Sequence, residues 1–392
     1  MNYNAFLKFY LVHMLIALIG VLTYEICNAS PLLENPKQQQ QQQQQKKRQD
    51  ALAAPQIIVG QMGFKGVNVQ GLHNQTIGFG LNTNVSIRQN LTDNLNARAK
   101  AGLDLETGSN KSVKLDEYKP TQGIYLEHAF LDYSPATFLN IQVGAINQKF
   151  IGSPLLVGAT IFLGIKEKLF YRADGQEFFI EAEQAIPNNH TLASRIGSVD
   201  EGNANFLLAT AGAALTGNFL SLKVNVSYFQ FSNLSHGVAA ESSFMGNSIT
   251  NHSTGANAEY LYDFSGLNTG YHLAMQIKPH IELYHATQYL FNRNAPDGRN
   301  TGYLSKVGLQ VKNYNLYSEI FYNESDSSPA YYNDKYYGHN NRKGMALGAA
   351  IEWKKYQLTL DAKYIQANVI EQDLNQSPTD IILFNFMRSY DF

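Results

Sequence analysis

The sequence predicts an all-β protein, a transmembrane antiparallel β-barrel of about sixteen strands, within a range of fourteen to eighteen. Three observations predict this fold. Apolar and polar residues alternate over stretches of about nine to twelve, short and long connections alternate, and no apolar run long enough for a membrane helix follows residue 29. A barrel pairs its backbone groups between strands, so it can cross a membrane without such a run.

The alternation is clearest over residues 356–364, where every second residue is apolar and the residues between them are polar. Residues 77–88, 95–106 and 220–228 repeat the pattern. A soluble sandwich would also alternate. However, soluble strands favour about 5–6 residues and membrane strands need about 9–11, so the length of these stretches favours a membrane barrel.

The connections predict the topology of the barrel. Long polar segments such as 233–266, 324–342 and 368–378 alternate with tight turns such as Lys354-Lys355. An even number of strands puts both chain ends on the side of the short turns, which we predict to be periplasmic, with the long loops extracellular. The apolar segment 149–156 is the candidate for a loop that folds into the lumen, with an irregular strand end as the alternative.

The chain before the barrel divides into two parts. Residues 1–29, with a short apolar run and small residues at the end, predict a cleaved signal peptide, although a retained anchor is the alternative. Residues 30–55 contain a glutamine tract and predict a disordered linker. The barrel itself is predicted to occupy residues 56–392.

The composition and the residue spacing exclude several classes of function. The formal net charge is −2, which gives no basis for a nucleic-acid partner. The single cysteine, Cys27, lies in the predicted signal, and His272 and His280 are too far apart in sequence for a local chelate. The sequence shows no Ser-His or Asp-His constellation, so it predicts no catalytic, cofactor-binding or metal residue and no enzyme.

The last predicted strand has an apolar residue at most alternate positions and ends in an aromatic one. These residues are Ile382, Phe384, Phe386, Tyr390 and Phe392. The pattern resembles the terminal signature of bacterial outer-membrane proteins, which implies that Phe392, Tyr390 and Phe386 form an assembly signal for the barrel-assembly machinery. Arg388 departs from the signature, because an apolar residue is expected there.

Two hairpins extend the resemblance. Residues 129–135, with an Asp-Tyr pair before a proline, lead into the apolar segment 139–144, which ends in a glycine. This hairpin and residues 270–283 resemble the phosphate-selective porin O and P group of the Gram-negative porin superfamily. The resemblance implies a homotrimer in the outer membrane, surrounded by lipid.

If the apolar faces contact lipid, the charged residues on the opposite faces line the lumen. The alternative is that they pair with each other along the wall. The candidates are Arg88, Arg98, Lys100, Asp104, Glu106, Lys223, Glu282, Lys306, Glu319, Asp361 and Lys363.

We therefore expect an outer-membrane porin for passive diffusion of small hydrophilic solutes or ions. One alternative is a substrate-specific channel for anions such as phosphate. Another, of a different class, is a surface adhesin or structural barrel that acts through its outer loops while the lumen stays plugged.

Overall fold

The computed structural model describes residues 57–112, 118–188, 203–250 and 257–391. Every described residue belongs to one compact unit within Pro55–Phe392. The predicted signal peptide, the predicted linker and Phe392 lie outside the described residues.

Sixteen long strands form one closed antiparallel barrel, which confirms the predicted fold class. The strands of the barrel are β1 Ile57–Gly71, β2 Asn74–Thr92, β3 Leu95–Ser112, β4 Gln122–Ala136, β5 Leu139–Asn147, β6 Ile161–Ala173, β7 Gln176–Ile186, β8 Asn205–Thr216, β9 Leu220–Ser232, β12 Ser265–Lys278, β13 Ile281–Asn292, β14 Thr301–Val311, β15 Tyr314–Asn323, β16 Arg342–Trp353, β17 Leu358–Val369 and β18 Thr379–Asp391. Neighbours in the chain pair with each other, β9 pairs with β12, and β1 pairs with β18 to close the barrel.

The remaining elements are short. Strands β10 (Ile249–Thr250) and β11 (Glu259–Tyr260) form a separate two-stranded sheet between β9 and β12. The connection that holds them also contains helix α1, His236–Phe244, and 3₁₀ turns occupy Gln148–Ile151, Lys335–Tyr337 and Lys354–Tyr356. Among the described residues, no helix is both long enough and apolar enough to span a membrane.

The connections separate the two ends of the barrel, as the sequence predicts. Tight turns join the strands at the end that also holds Ile57 and Asp391, which we call the short-turn end. Asp174 and Gly175 both adopt positive φ there, as a two-residue hairpin turn requires. The other end, the long-loop end, carries the long connections, but β1 and β2 are joined there by two residues only.

The two faces of the wall differ in polarity. Phe79 is 65% exposed and Leu316 is 57% exposed, and both point outward, whereas Glu319 on the same strand as Leu316 is buried inside. Because side chains alternate along a strand, this register puts an apolar belt on the outside and polar groups on the inside. On three neighbouring strands, Tyr289, Tyr303 and Tyr322 are register partners and form an aromatic row toward the long-loop end.

Three connections fold into the interior instead of facing away from the barrel. These inserted loops are 148–160, the described part of 233–264, and 324–341. The prediction that 233–266 and 324–342 are exposed loops is therefore wrong. Ser327, for example, is fully buried. The physical reason is that Phe162, Phe206 and Phe231 point inward, and apolar rings inside a wide barrel must be covered.

Candidate functional site

Segment 324–341 crosses the interior of the barrel. It leaves β15, and the ring of its Tyr332 packs edge-on against Phe162 of β6, with centroids 5.4 Å apart. The same ring stacks 5.6 Å from Phe231 of β9, and its hydroxyl donates a hydrogen bond of 2.9 Å to the carbonyl of Asn188. The segment therefore bridges the β15–β16 wall and the β6–β9 wall.

The deepest contacts of this segment are polar. The Tyr337 hydroxyl donates a hydrogen bond of 2.9 Å to the Glu319 carboxylate, which is almost fully buried. Lys363 Nζ lies 2.7 Å and Lys306 Nζ lies 3.3 Å from the same carboxylate. Two lysines, one glutamate and one tyrosine therefore hold the segment against the wall about midway along β15 and β17.

Asparagine side chains connect the inserted loops to one another. Asn247 Nδ2 donates hydrogen bonds to the carbonyls of Ser325 at 2.7 Å and Ser328 at 3.0 Å, and Asn247 Oδ1 accepts one from the Ala330 amide at 2.7 Å. Asn340 Nδ2 also donates to the Ser325 and Ser328 carbonyls. These bonds satisfy backbone groups that have no strand partner, so the loops behave as one packed unit.

The segment 148–160 joins this unit. The Ser328 hydroxyl donates a hydrogen bond of 2.7 Å to the Leu155 carbonyl, and Asn268 Nδ2 on β12 donates one of 2.7 Å to the Ser153 hydroxyl. Leu155 and Leu156 are fully buried. The prediction that 149–156 folds into the lumen is confirmed, and the greater contribution of 324–341 was missed.

Asp326 is the buried acid of the inserted loops. Its carboxylate accepts hydrogen bonds from the Ser248 amide at 2.8 Å and the Ser248 hydroxyl at 2.7 Å. Burial nevertheless raises the pKa of Asp326, because desolvation penalises the charged form more than these bonds favour it. Burial raises the pKa of Asp334 in the same segment as well.

A cavity of about 580 Å³, with charged residues in its lining, separates segment 324–341 from the wall formed by β1–β3, β17 and β18. On the wall, Lys65 Nζ lies 2.9 Å from an Asp104 oxygen and 2.6 Å from a Glu106 oxygen. On the loop side, the cavity is lined by Asp334 and Lys335. Charges of both signs thus face the same space.

A second cavity of about 350 Å³ lies against β9 and β12–β15. Its lining includes Lys223, His272, Lys306 and Tyr337. Because Tyr337 belongs to segment 324–341, this segment borders both cavities and divides the interior between them.

All eleven predicted pore-lining residues occupy inward-facing positions of the barrel. Seven of them form ion pairs: Arg98, Lys100, Asp104, Glu106, Lys306, Glu319 and Lys363. Among the described residues, no ion pair involves the other four, which are Arg88, Lys223, Glu282 and Asp361. The two interpretations of these charges are therefore compatible, since all eleven face the interior and seven of them are paired there.

Sequence reasoning missed several interior residues. Lys65 was overlooked because β1 alternates irregularly, although it pairs with two of the predicted acids. The sequence pattern places Tyr332 and Tyr337 in an exposed loop, whereas the structure buries both. Their signal was available, since four tyrosines in one polar loop are as anomalous at a surface as the apolar residues of 149–156.

The last strand shows how the departure at Arg388 is accommodated. Phe386, Arg388 and Tyr390 share the outer face of β18, and the Arg388 guanidinium lies 5.0 Å from the centre of the Tyr390 ring. A cation over an aromatic face is stabilised by the ring quadrupole. The charge thus has an aromatic neighbour at the short-turn end of the belt.

Comparisons with known proteins identify relatives in fold but not in sequence. No family model matches the chain, and no curated protein matches it. OprB of Pseudomonas putida is similar in structure with a TM-score of 0.55 and 11% identity, covering 88% of this chain and 97% of that one. OmpF of Salmonella typhi, in a complex with daunomycin, has a TM-score of 0.50 and 10% identity, covering 85% of this chain and 97% of its own. The structural neighbours are outer-membrane porins, and at these identities the likeness is one of fold.

Proposed function

We propose that this chain is an outer-membrane channel that lets small hydrophilic solutes or ions cross by passive diffusion. In this proposal a cleaved signal peptide exports the chain, and the barrel-assembly machinery inserts it with the short turns in the periplasm. The support is a closed barrel with an apolar belt outside and charged side chains inside.

The observation that carries the proposal is the charged cavity beside segment 324–341. Ion pairs such as Lys65 with Asp104 and Glu106 hold charged groups in place along the wall that lines this cavity. We assign the solute path to this wall. Because cations and carboxylates alternate there, selectivity between anions and cations is expected to be mild.

The first test is the conductance of the purified, refolded chain in a planar bilayer under a salt gradient. Discrete, stable current steps are expected, and a folded barrel that inserts without conducting would overturn the channel.

The assigned path has its own test, based on two inward asparagines. Asn82 lines the larger cavity and Asn225 lines the smaller one. Asn82→Trp is expected to reduce the step size severalfold, whereas the matched control Asn225→Trp leaves it nearly unchanged. The opposite pattern would move the path to the second cavity.

A selective anion channel is the finer alternative within the same class. It rests on the resemblance of residues 129–144 to the phosphate-selective group and on Arg88 and Lys223, two inward cations without an ion pair among the described residues. The sign of the reversal potential distinguishes the alternatives, since a strong anion preference would favour this one.

A surface adhesin or structural barrel is the candidate of a different class. The observation that favours it is the packing of Tyr332 between Phe162 and Phe231, which fills part of the lumen. An inserted barrel without conductance would support it.

We also propose a homotrimer, on the basis of the sequence resemblance alone. Native mass spectrometry in mild detergent is expected to give three times the mass of the mature chain, and a monomer would contradict this assembly.

A further inference from the structure

Hydrogen-bonding side chains meet on the outer face of β12, β13 and β14. His285 Nε2 lies 2.8 Å from Ser305 Oγ, and His285 Nδ1 lies 2.8 Å from the Tyr271 hydroxyl. The rings of Tyr271 and His285 pack edge-to-face with centroids 5.3 Å apart. The imidazole is therefore held between a serine on one side and a tyrosine on the other.

The strand register shows that these side chains point away from the lumen. His285 is the register partner of Val307, which is 47% exposed in the apolar belt. Thr287 is the partner of both Ser305 and Tyr271, and paired residues in an antiparallel ladder share one face. The group therefore faces the surroundings of the barrel and has no contact with the channel interior.

The height of the group is set by the row of Tyr289, Tyr303 and Tyr322. Ser305 lies two residues from Tyr303, which is about 7 Å along the strand. Aromatic rows on barrels lie at the level of the lipid headgroups, where the acyl esters of membrane lipids are also found. Ser305 thus lies just below the interface on the long-loop side.

The arrangement is that of an activated nucleophile. A serine becomes reactive toward acyl groups when its hydroxyl is hydrogen-bonded to one imidazole nitrogen and another group holds the second nitrogen. We propose that Ser305 and His285 form a lipid esterase site, with fatty acyl esters of membrane lipids as substrates. The activity is separate from the channel and requires only that the barrel lies in a membrane.

In the first half of the reaction, Ser305 Oγ attacks the ester carbonyl carbon and its proton passes to His285 Nε2. The bond from that carbon to the alcohol oxygen then breaks, and His285 returns the proton to the departing alcohol. In the second half, water from the interface attacks the carbonyl carbon of the acyl-serine and gives a proton to His285. The bond from that carbon to Ser305 Oγ then breaks, the acid is released, and Ser305 recovers its proton from His285.

Two neighbours support these steps. In this proposal Tyr271 is a positioning residue, because its hydroxyl accepts a hydrogen bond from the Nδ1–H tautomer of His285 and so leaves Nε2 free to act as the base. The Thr287 hydroxyl donates a hydrogen bond of 3.4 Å to Ser305 Oγ, and in the proposed reaction it turns from Ser305 to the oxyanion as the hydrogen-bond donor. The strand amides cannot do this, since they are bonded in the ladder.

The apolar surroundings of His285 and Ser305 make these polar side chains costly to keep if they have no function. Polar side chains that face lipid are unfavourable, and outward positions elsewhere on the belt hold apolar residues such as Phe64, Phe79 and Leu316, although Glu167 on β6 also points outward. Ser318 on β15 also occupies an outward position, but its register partners are Val307 and Leu347. Ser318 is therefore a matched control for Ser305.

The test uses the full refolded chain in detergent micelles with a fluorophosphonate probe, followed by peptide mass spectrometry. Wild type and Ser318→Ala are expected to be labelled at Ser305 at equal rates, and His285→Gln at a rate at least about a hundredfold lower. Tyr271→Phe is expected to lower kcat for a soluble acyl ester about tenfold with KM unchanged, since it contacts the base and not the acyl chain. A folded wild type with unlabelled Ser305, or equal labelling in His285→Gln, would overturn the proposal.

The lipid source is distinguished in parallel micelles that contain either phosphatidylglycerol or lipopolysaccharide. Release of fatty acid from either one, lost in Ser305→Ala, supports the proposal and identifies the source, whereas release from neither overturns it. Conductance of Ser305→Ala should equal that of wild type, so a failure of the esterase and a failure of the channel remain distinguishable.

Discussion

The two halves of the barrel interior are built differently. Toward the long-loop end, Tyr332, Phe162 and Phe231 form a packed apolar core with the inserted loops. Toward the short-turn end, ion pairs such as Arg98 with Asp132 and Lys168 with Glu177 line the wall. The difference indicates that the ion pairs hold the wall of the short-turn half in place, whereas the inserted loops of the long-loop half set how much of the lumen remains open.

The largest effect is expected from removing the ring that anchors the long-loop half. Tyr332→Ala leaves a cavity among Phe162 and Phe231 and should destabilise the inserted loops by about 4 kcal/mol, as for other large aromatic truncations. Current steps should become larger and noisier in planar bilayers. Tyr356→Ala, at an exposed tyrosine of the short-turn end, is the control. Unchanged currents in Tyr332→Ala would mean that the apolar core does not limit the path.

The variant Glu319→Gln tests the polar contact that holds segment 324–341 against the barrel wall. The change leaves Lys306 and Lys363 without their shared carboxylate, which should cost about 3 kcal/mol, as breaking a buried pair does. It also removes one negative charge from the interior, so the reversal potential should shift toward anions. Glu352→Gln, at an exposed position near the short-turn end, should shift it less. Equal shifts would contradict a special role for Glu319.

The pH dependence of the long-loop half follows from Asp326. Burial raises the pKa of Asp326 in the folded protein, so folding favours the protonated carboxyl group. The stability that this protonated group gives the inserted loops is fully present at a pH below the ordinary carboxyl pKa. It is lost as the pH rises through the raised pKa. One such proton changes stability by at most about 1.4 kcal/mol per pH unit. Limited proteolysis of the loops should therefore become faster as the pH rises from about 4, the ordinary carboxyl pKa, through the raised pKa of Asp326.

The variant Asp326→Asn should flatten this profile partly, because burial also raises the pKa of Asp334. A profile identical to that of wild type would remove Asp326 from the explanation.

The smallest effect is expected on the outer wall at the short-turn end. Arg388→Ala removes a cation from the Tyr390 ring and should change barrel stability by about 0.5–1 kcal/mol. Urea unfolding in micelles measures it, with Arg388→Lys expected to retain part of the interaction. A loss of several kcal/mol would indicate a contact beyond the ring.

The sequence by itself determined the barrel wall. The period-two pattern of segments such as 356–364 sets both the strands and their faces, because side-chain direction in a strand depends only on position along the chain. The eleven charged candidates occupy inward positions for this local reason. Lys65 was missed where the alternation of β1 is irregular.

Only the tertiary structure decided which segments fill the interior of the barrel and which residues of different strands become neighbours. Tyr332 finds Phe162 although 170 positions separate them, since the path of a long loop depends on packing that no local pattern records. His285 and Ser305 meet because the β13–β14 register aligns the residues around them. The sequence showed no serine-histidine constellation, because residues twenty positions apart become neighbours only when two strands pair.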